Sequence, residues 1–147
     1  MSASLREKAL RLLARRDHSR AELVRKLSGD GNEDDIAALL TRFEECGLVS
    51  DARFAEQFVS SRSTRFGARR LQHELKLRGV PEDDAGAALA ALEQDETVRA
   101  RAVWARRFDA APQDAKAWAR QARFLQSRGF SADSIRKVLR EQPDQDD

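Results

Sequence analysis

The chain has 147 residues, 41% hydrophobic and 35% charged, with 27 Lys and Arg against 25 Asp and Glu and a formal net charge of +2. This composition describes a soluble helical chain with solvated outer faces, long enough for one ordinary domain or for several small stacked units. No apolar run reaches the length of a membrane span, the segment from Met1 lacks the apolar core of a secretory leader, and the single Cys46 excludes an internal disulfide. The expected compartment is the cytoplasm.

Leu5, Ala9, Leu12 and Leu13 recur at helical spacing and predict a first helix over residues 5–16, broken by Asp17-His18-Ser19. Ser19 followed by Glu22 has capping-box spacing and opens a second helix that turns Leu23, Val24 and Leu27 inward. After the turn cluster Gly29-Asp30-Gly31-Asn32, a third helix runs over residues 33–46 on Ile36, Leu39, Leu40 and Phe43, with Gly47 as its stop. Cys46, within that run, reads as a small core hydrophobe.

A fourth helix opens at Ser50 or Asp51 and stacks Phe54, Ala55, Phe58 and Val59, with Arg62 and Arg65 at its negative end. Gly67 turns the chain into a fifth helix carrying Ala68, Leu71 and Leu75, which Gly79 ends. Pro81 fits the first turn of a sixth, followed by Glu82, Asp83 and Asp84 and continuing through Leu89 and Leu92. The seventh covers residues 95–108 on Val98, Ala102, Ala105 and the Trp104/Phe108 pair. Beyond Pro112 the eighth carries Ala115, Trp118, Ala122 and Leu125 up to Gly129, and Ser131 caps a ninth carrying Ile135, Val138 and Leu139. Phe54, Phe58, Trp104 and Trp118 fall on the inward stripes and read as core.

Gly31, Gly79 and Gly129 are 48 and 50 positions apart, each between two apolar helical runs. Self-similarity at a fixed period marks a repeat architecture. The expected fold is therefore all-α: three tandem three-helix repeats forming an elongated, curved stack. The repeats occupy residues 1–49, 50–94 and 95–141, and residues 142–147 form an acidic disordered tail. Without a sustained heptad seam, the expected state is a monomer.

Catalytic patterns are missing. His18 and His73 are the only histidines, and there is no zinc ligand set, phosphate loop or nucleophile elbow. The acidic runs 33–35 and 82–84 begin helices, where the dipole explains them better than a metal does. The expectation is no enzyme, no cofactor and no metal. What stands out is arginine, since only Lys8, Lys26, Lys76, Lys116 and Lys137 are lysines. Basic clusters recur at Arg15-Arg16-Arg20, Arg25-Lys26, Arg62-Arg65-Arg69-Arg70, Lys76-Arg78, Arg99-Arg101, Arg106-Arg107 and Arg120-Arg123-Arg128. On the fifth and eighth helices the cations face away from the apolar stripe. Aligned repeats would make them a ladder able to follow a phosphate backbone or an acidic protein groove. No helix shows a base-reading pattern.

Three segments resemble the RecX family, bacterial modulators of the RecA recombinase. Asp17-His18-Ser19-Arg20-Ala21-Glu22-Leu23, with Leu27, is similar to the family's opening signature. Leu48 to Ala55, continuing to Val59 and Arg62, resembles its central motif, with Leu48 where tyrosine is usual and with Cys46 and Ser50 at positions often acidic or amide. Gly67-Ala68-Arg69-Arg70-Leu71, then Glu74-Leu75 and Gly79, matches the elements that follow. The resemblance implies tandem three-helix units and a non-enzymatic protein that binds RecA and the groove of the RecA–DNA filament. It further implies that the recombinase, ATPase and coprotease activities are restrained.

The candidate contact residues are Arg65, Arg69, Arg70, Lys76 and Arg78, followed by Arg101, Arg106, Arg107, Arg120, Arg123 and Arg128. The expected partners are RecA and its single-stranded DNA filament, with DNA itself a possible direct contact and no membrane. The rival reading is a direct nucleic-acid-binding protein with helix-turn-helix-like units. A helical scaffold for some other partner is the fallback.

Overall fold

The computed structural model describes residues 2–140, so the expected acidic tail lies outside the described residues. Among the described residues there are nine α-helices and no strand. They are α1 (Ser2–Arg15), α2 (Arg20–Leu27), α3 (Glu33–Glu45), α4 (Asp51–Arg62), α5 (Ala68–Leu77), α6 (Glu82–Ala90), α7 (Glu96–Arg107), α8 (Ala115–Ser127) and α9 (Ala132–Arg140). No helix among them is long and apolar enough to cross a membrane.

Local chemistry fixes most of these ends. Ser19 and Glu22 form the capping box of α2: the Ser19 N–H donates to Glu22 Oε1 at 3.0 Å, and the Glu22 N–H to Ser19 Oγ at 3.1 Å. Asn32, Asp95 and Asp114 cap α3, α7 and α8 with their side-chain oxygens. The acidic runs 33–35 and 82–84 fill the first turns of α3 and α6. Gly47, Gly79 and Gly129 close α3, α5 and α8 with φ of 81°, 75° and 88°, a conformation costly for any residue with a Cβ.

The chain divides into two compact units, Met1–Phe58 with Leu75–Ala88 and Val59–Glu74 with Leu89–Asp147. In the first, α1, α2 and α3 pack on one another around Leu5, Ala9, Leu23, Leu27, Ile36, Leu40 and Phe43. In the second, α7, α8 and α9 enclose Val103, Trp104, Leu125, Phe130, Ile135, Val138 and Leu139. The Trp104 indole N–H donates to Gln121 Oε1 at 2.7 Å, and the Gln121 amide reaches the Ala110 carbonyl at 3.2 Å. A buried polar residue therefore stands where the other repeats carry leucine, and its hydrogen-bonding groups are satisfied.

One joint occurs in both units. In the first, Asp51, at the start of α4, accepts the Arg20 N–H at 2.9 Å, and Ser19 Oγ donates to the Arg78 carbonyl at 2.7 Å. In the second, Glu96, at the start of α7, accepts the Ala68 N–H at 3.3 Å and the Ser131 N–H at 2.8 Å. There Gly67 and Arg69 donate to the carbonyls of Arg128 and Gly129 at 2.8 and 3.2 Å. So the N-termini of α2 and α5 each abut the glycine turn that closes the second helix of the following triplet.

Several expected placements differ. Cys46 is exposed: it is the C-cap of α3, where the chain leaves the helix and its side chain falls outside the core. Val24 and Val98 are exposed, and so are Ala102 and Ala105, because α7 buries the face carrying Arg99, Ala100, Val103 and Trp104. Phe54, Phe58 and Trp104 are buried and Trp118 half-buried, as the stripes indicated. Pro81 precedes α6 rather than lying in it, and α6 stops at Ala90, before Leu92. Gly31 lacks the positive φ of Gly79 and Gly129; the α2–α3 turn is one residue longer and uses different backbone bonds.

Candidate functional site

The site is assembled from three segments of the second unit. The first is the turn after α4, where the Arg65 and Phe66 N–H groups both return to the Arg62 carbonyl at 3.0 and 3.1 Å. Arg99, only 6% exposed, fixes this turn from within. Its Nη1 donates to the carbonyls of Ser63 at 3.0 Å and Phe66 at 2.9 Å. Burial draws the Arg99 guanidinium below its ordinary pKa, opposed by the nearby carboxylates of Glu96 and Asp95. This arginine is a structural tie, and it leaves the basic ladder expected from the sequence.

The second segment is α7, which presents Val103, Arg106 and Arg107 at helical spacing, and the third is the end of α8, with Phe124 in the helix and Arg128 at its C-cap four residues on. Together with Arg65 they line a cavity of about 260 Å³. Val103 is buried and Phe124 half-buried. The Arg107 and Arg128 guanidiniums lie 5.3 and 5.0 Å from the centre of the Phe124 ring, and that of Arg65 lies 5.3 Å from the Phe66 ring. Phe108 meets Phe124 edge-on at 5.5 Å. Arg106 Nη2 donates to the Thr64 carbonyl. Cation–π and carbonyl contacts thus hold all four guanidiniums in place.

Of the candidate residues, the structure brings together Arg65, Arg106, Arg107 and Arg128. Arg70 is committed elsewhere in the same unit: its Nε donates to Glu74 at 3.0 Å, its Nη1 to the Ser127 carbonyl at 3.3 Å, and it lies 4.1 Å from the centre of the Phe66 ring. Arg69, Arg120 and Arg123 are exposed, and Arg101 is half-buried with an enclosed Nε; none of these lines the cavity. Lys76 and Arg78 belong to the first unit, where the Arg78 guanidinium stands 4.6 Å from the centre of the Phe58 ring. Sequence reasoning overlooked Phe66 and Phe124, the aromatic supports of the pocket. The signal was present in the i, i+4 spacing of Phe124 and Arg128 and in the adjacency of Arg65 and Phe66.

Three family patterns match in chain order: "RecX, first three-helix domain" over residues 6–43, "RecX, second three-helix domain" over residues 50–89 and "RecX, third three-helix domain" over residues 93–139. The chain belongs to the RecX family. It is 48% identical to the regulatory protein RecX of Leptothrix cholodnii, covering 93% of this chain and 88% of that one. To the regulatory protein RecX of Herminiimonas arsenicoxydans it is 45% identical, covering 100% of this chain and 98% of that one. The crystal structure of RecX from Lactobacillus salivarius has a TM-score of 0.82 at 22% identity, covering 95% of each chain, a likeness of fold. The resemblance read from the three motifs is thereby shown, as is the all-α fold of three-helix domains.

Proposed function

We propose that the chain is a non-enzymatic regulator that binds RecA and the groove of the RecA–DNA filament and restrains its recombinase, ATPase and coprotease activities. The observation that carries this reading is the match to all three RecX domains in order, along with relatives named regulatory proteins. The basic surface supports it physically: arginine forks suit the carboxylates and phosphates that a protein–DNA filament presents. In this reading the chain acts as a cytoplasmic monomer made of repeats 1–49, 50–94 and 95–141. Arg65, Arg69, Arg70, Lys76, Arg78, Arg101, Arg106, Arg107, Arg120, Arg123 and Arg128 supply the contacts. Several weak contacts spread over adjacent subunits favour filament over free RecA through effective concentration.

The test is the DNA-dependent ATPase of RecA, with co-sedimentation on filaments assembled on single-stranded DNA. Inhibition with binding to filaments in preference to free RecA is expected. A chain that neither sediments with filaments nor slows the ATPase ends the proposal. Direct nucleic-acid binding is the second reading, favoured by the four-arginine pocket.

A further inference from the structure

We propose that the pocket framed by Arg65, Arg106, Arg107 and Arg128 seats the acidic segment 141–147 of the same chain, an intramolecular plug that any external anion has to displace. The inference goes beyond the regulatory reading and does not rest on it, because both sides of the contact belong to this chain.

The pocket lacks carboxylates of its own. Among the described residues, none of the ion pairs to a carboxylate involves its four arginines. Nearby acidic groups are engaged elsewhere in the unit. Asp95 and Asp114 cap α7 and α8, Glu96 accepts two backbone N–H groups, Glu74 pairs with Arg70, and Asp133 pairs with Arg136 and Lys137. The guanidiniums are already held by Phe66, Phe124 and the Thr64 carbonyl, so less side-chain freedom is lost when an anion enters. Val103 and Phe124 give the cavity an apolar lining, which strengthens the attraction.

The segment beyond α9 complements this charge. Residues 141–147 read Glu-Gln-Pro-Asp-Gln-Asp-Asp, four carboxylates and no cation. The other acidic runs, 33–35 and 82–84, belong to the first unit, where they fill the first turns of α3 and α6.

Its length and point of departure fit as well. α9 packs on both α7 and α8, the helices whose ends carry Arg106, Arg107 and Arg128. Leu139, one residue before α9 ends, is buried in the same core as Val103, which lines the pocket. Pro143 opposes continuation of the helix, and seven residues on an extended path reach about 23 Å. That exceeds both the spacing of packed helices, about 8–10 Å, and the length of α7, about 18 Å. A cavity of about 260 Å³ admits the side-chain carboxylates of an extended segment and excludes a folded element. So short a tether gives an effective concentration of about millimolar, at which even a weak contact is populated.

The test uses the full chain without RecA. A nitroxide on Gln145→Cys, in a Cys46→Ser background, reports by paramagnetic broadening which backbone amides the segment visits. The amides of Arg65, Arg107, Phe124 and Arg128 are expected to broaden at low salt. They recover at about 1 M salt, where the Debye length is about 3 Å. Tethering alone brings the label near α9, so the baseline is the same labelled chain with Glu141→Gln, Asp144→Asn, Asp146→Asn and Asp147→Asn. Broadening above that baseline is expected with the pocket intact and is lost in Arg107→Gln/Arg128→Gln, with Arg65→Gln as a second pocket variant. Dispersion of the same spectra reports that each variant is folded. A plug in place half to nine-tenths of the time weakens external anions about two- to tenfold, so inorganic pyrophosphate should bind the neutralised chain more tightly by that factor at constant ionic strength.

Broadening no greater than the baseline overturns the proposal, as does excess broadening that survives in the folded pocket variants. Mixing labelled chains with isotope-enriched unlabelled ones adds a further check. Broadening of the enriched pocket assigns the segment to a second copy and overturns the intramolecular contact. Equal pyrophosphate affinity in the two chains, or none in either, overturns it too. ATPase inhibition is a separate readout: a plugged chain that does not inhibit RecA leaves this inference standing and removes the regulatory reading alone.

Discussion

The Asp51 carboxylate accepts the backbone N–H of Arg20 at 2.9 Å, joining the first residues of α4 and α2 across 31 positions of chain. Burial pushes the Asp51 carboxyl above the usual carboxylate range, with Asp84 and Glu44 adding to the shift and the Arg20 N–H opposing it. The contact needs an oxygen at this position, but the charge works against the fold.

Two substitutions at Asp51 therefore diverge. Asp51→Ala removes a cap and is expected to lower stability by about 1 kcal/mol. Asp51→Asn keeps an acceptor without a buried charge, so its melting temperature at neutral pH is expected to equal or exceed that of wild type. A raised pKa means the folded protein holds this proton more tightly than the unfolded chain. Wild type thus gains on the Asn variant as pH falls toward the carboxylate range. Thermal melts followed by circular dichroism at both pH values check the sign.

His18 gives the opposite pH window. It is 2% exposed, with Nδ1 3.0 Å from the Arg16 carbonyl and Nε2 3.1 Å from Lys26 Nζ. These partners suit a neutral ring that donates through Nδ1 and accepts at Nε2. Burial lowers its pKa, the Arg16 carbonyl and Glu22 oppose the shift, and the Arg16 and Lys26 cations reinforce it. Stability from a neutral His18 is complete above about pH 6.5 and is lost as pH falls toward the depressed folded value. The melting temperature is expected to fall as the pH drops below about 6.5, with most of that slope gone in His18→Asn. An equal slope in the variant would assign the acid sensitivity to another group.

The positive-φ glycines separate backbone strain from close packing. At Gly47 a Cβ meets open space, so Gly47→Ala is expected to cost only the left-handed penalty, about 1–2 kcal/mol. At Gly129 it would overlap the backbone and Cβ of Arg70, so overpacking of a further ~1–3 kcal/mol is expected. Urea unfolding followed by tryptophan emission for Gly129→Ala, and by circular dichroism for Gly47→Ala, resolves the difference.

Arg99 is the fourth test. Arg99→Met preserves the aliphatic stem but withdraws the donor shared by the Ser63 and Phe66 carbonyls. A loss of about 2–4 kcal/mol is expected. Because the same turn carries Arg65, salt-dependent DNA binding should weaken along with stability. Full stability in the Met variant would show that water replaces the guanidinium at those carbonyls.

The helices were legible because their stripes, caps and stops agree: Ser19 with Glu22, the acidic runs at 33–35 and 82–84, and Gly79 and Gly129 at their turns. Orientation at the margins was not. Val98 and Arg99 are neighbours on α7, and hydrophobicity alone selects valine for the interior. The structure buries arginine instead because two carbonyls of a distant turn need a donor. Cys46 was misplaced because the position of a helix's last residue relative to the core depends on where its C-cap falls. The pocket was half legible. Its arginines stood out as charge, but their convergence depends on the turn after α4 meeting α7 and α8, which no local spacing reveals.

The two acidic staples carry a consequence for how the chain is made. Asp51 adds an acceptor to the α2 N-terminus that Ser19 and Glu22 already cap, whereas the α5 N-terminus, preceded by side-chain-free Gly67, takes its carboxylate from Glu96. The α5 cap, and the second fastening of α2, therefore wait for a residue about thirty positions further along to emerge from the ribosome. The fastening at the start of each of these helices is complete only once the next three-helix domain has begun. Cuts placed between domains would sever caps, so a boundary that looks clean in sequence is a poor place to divide the protein.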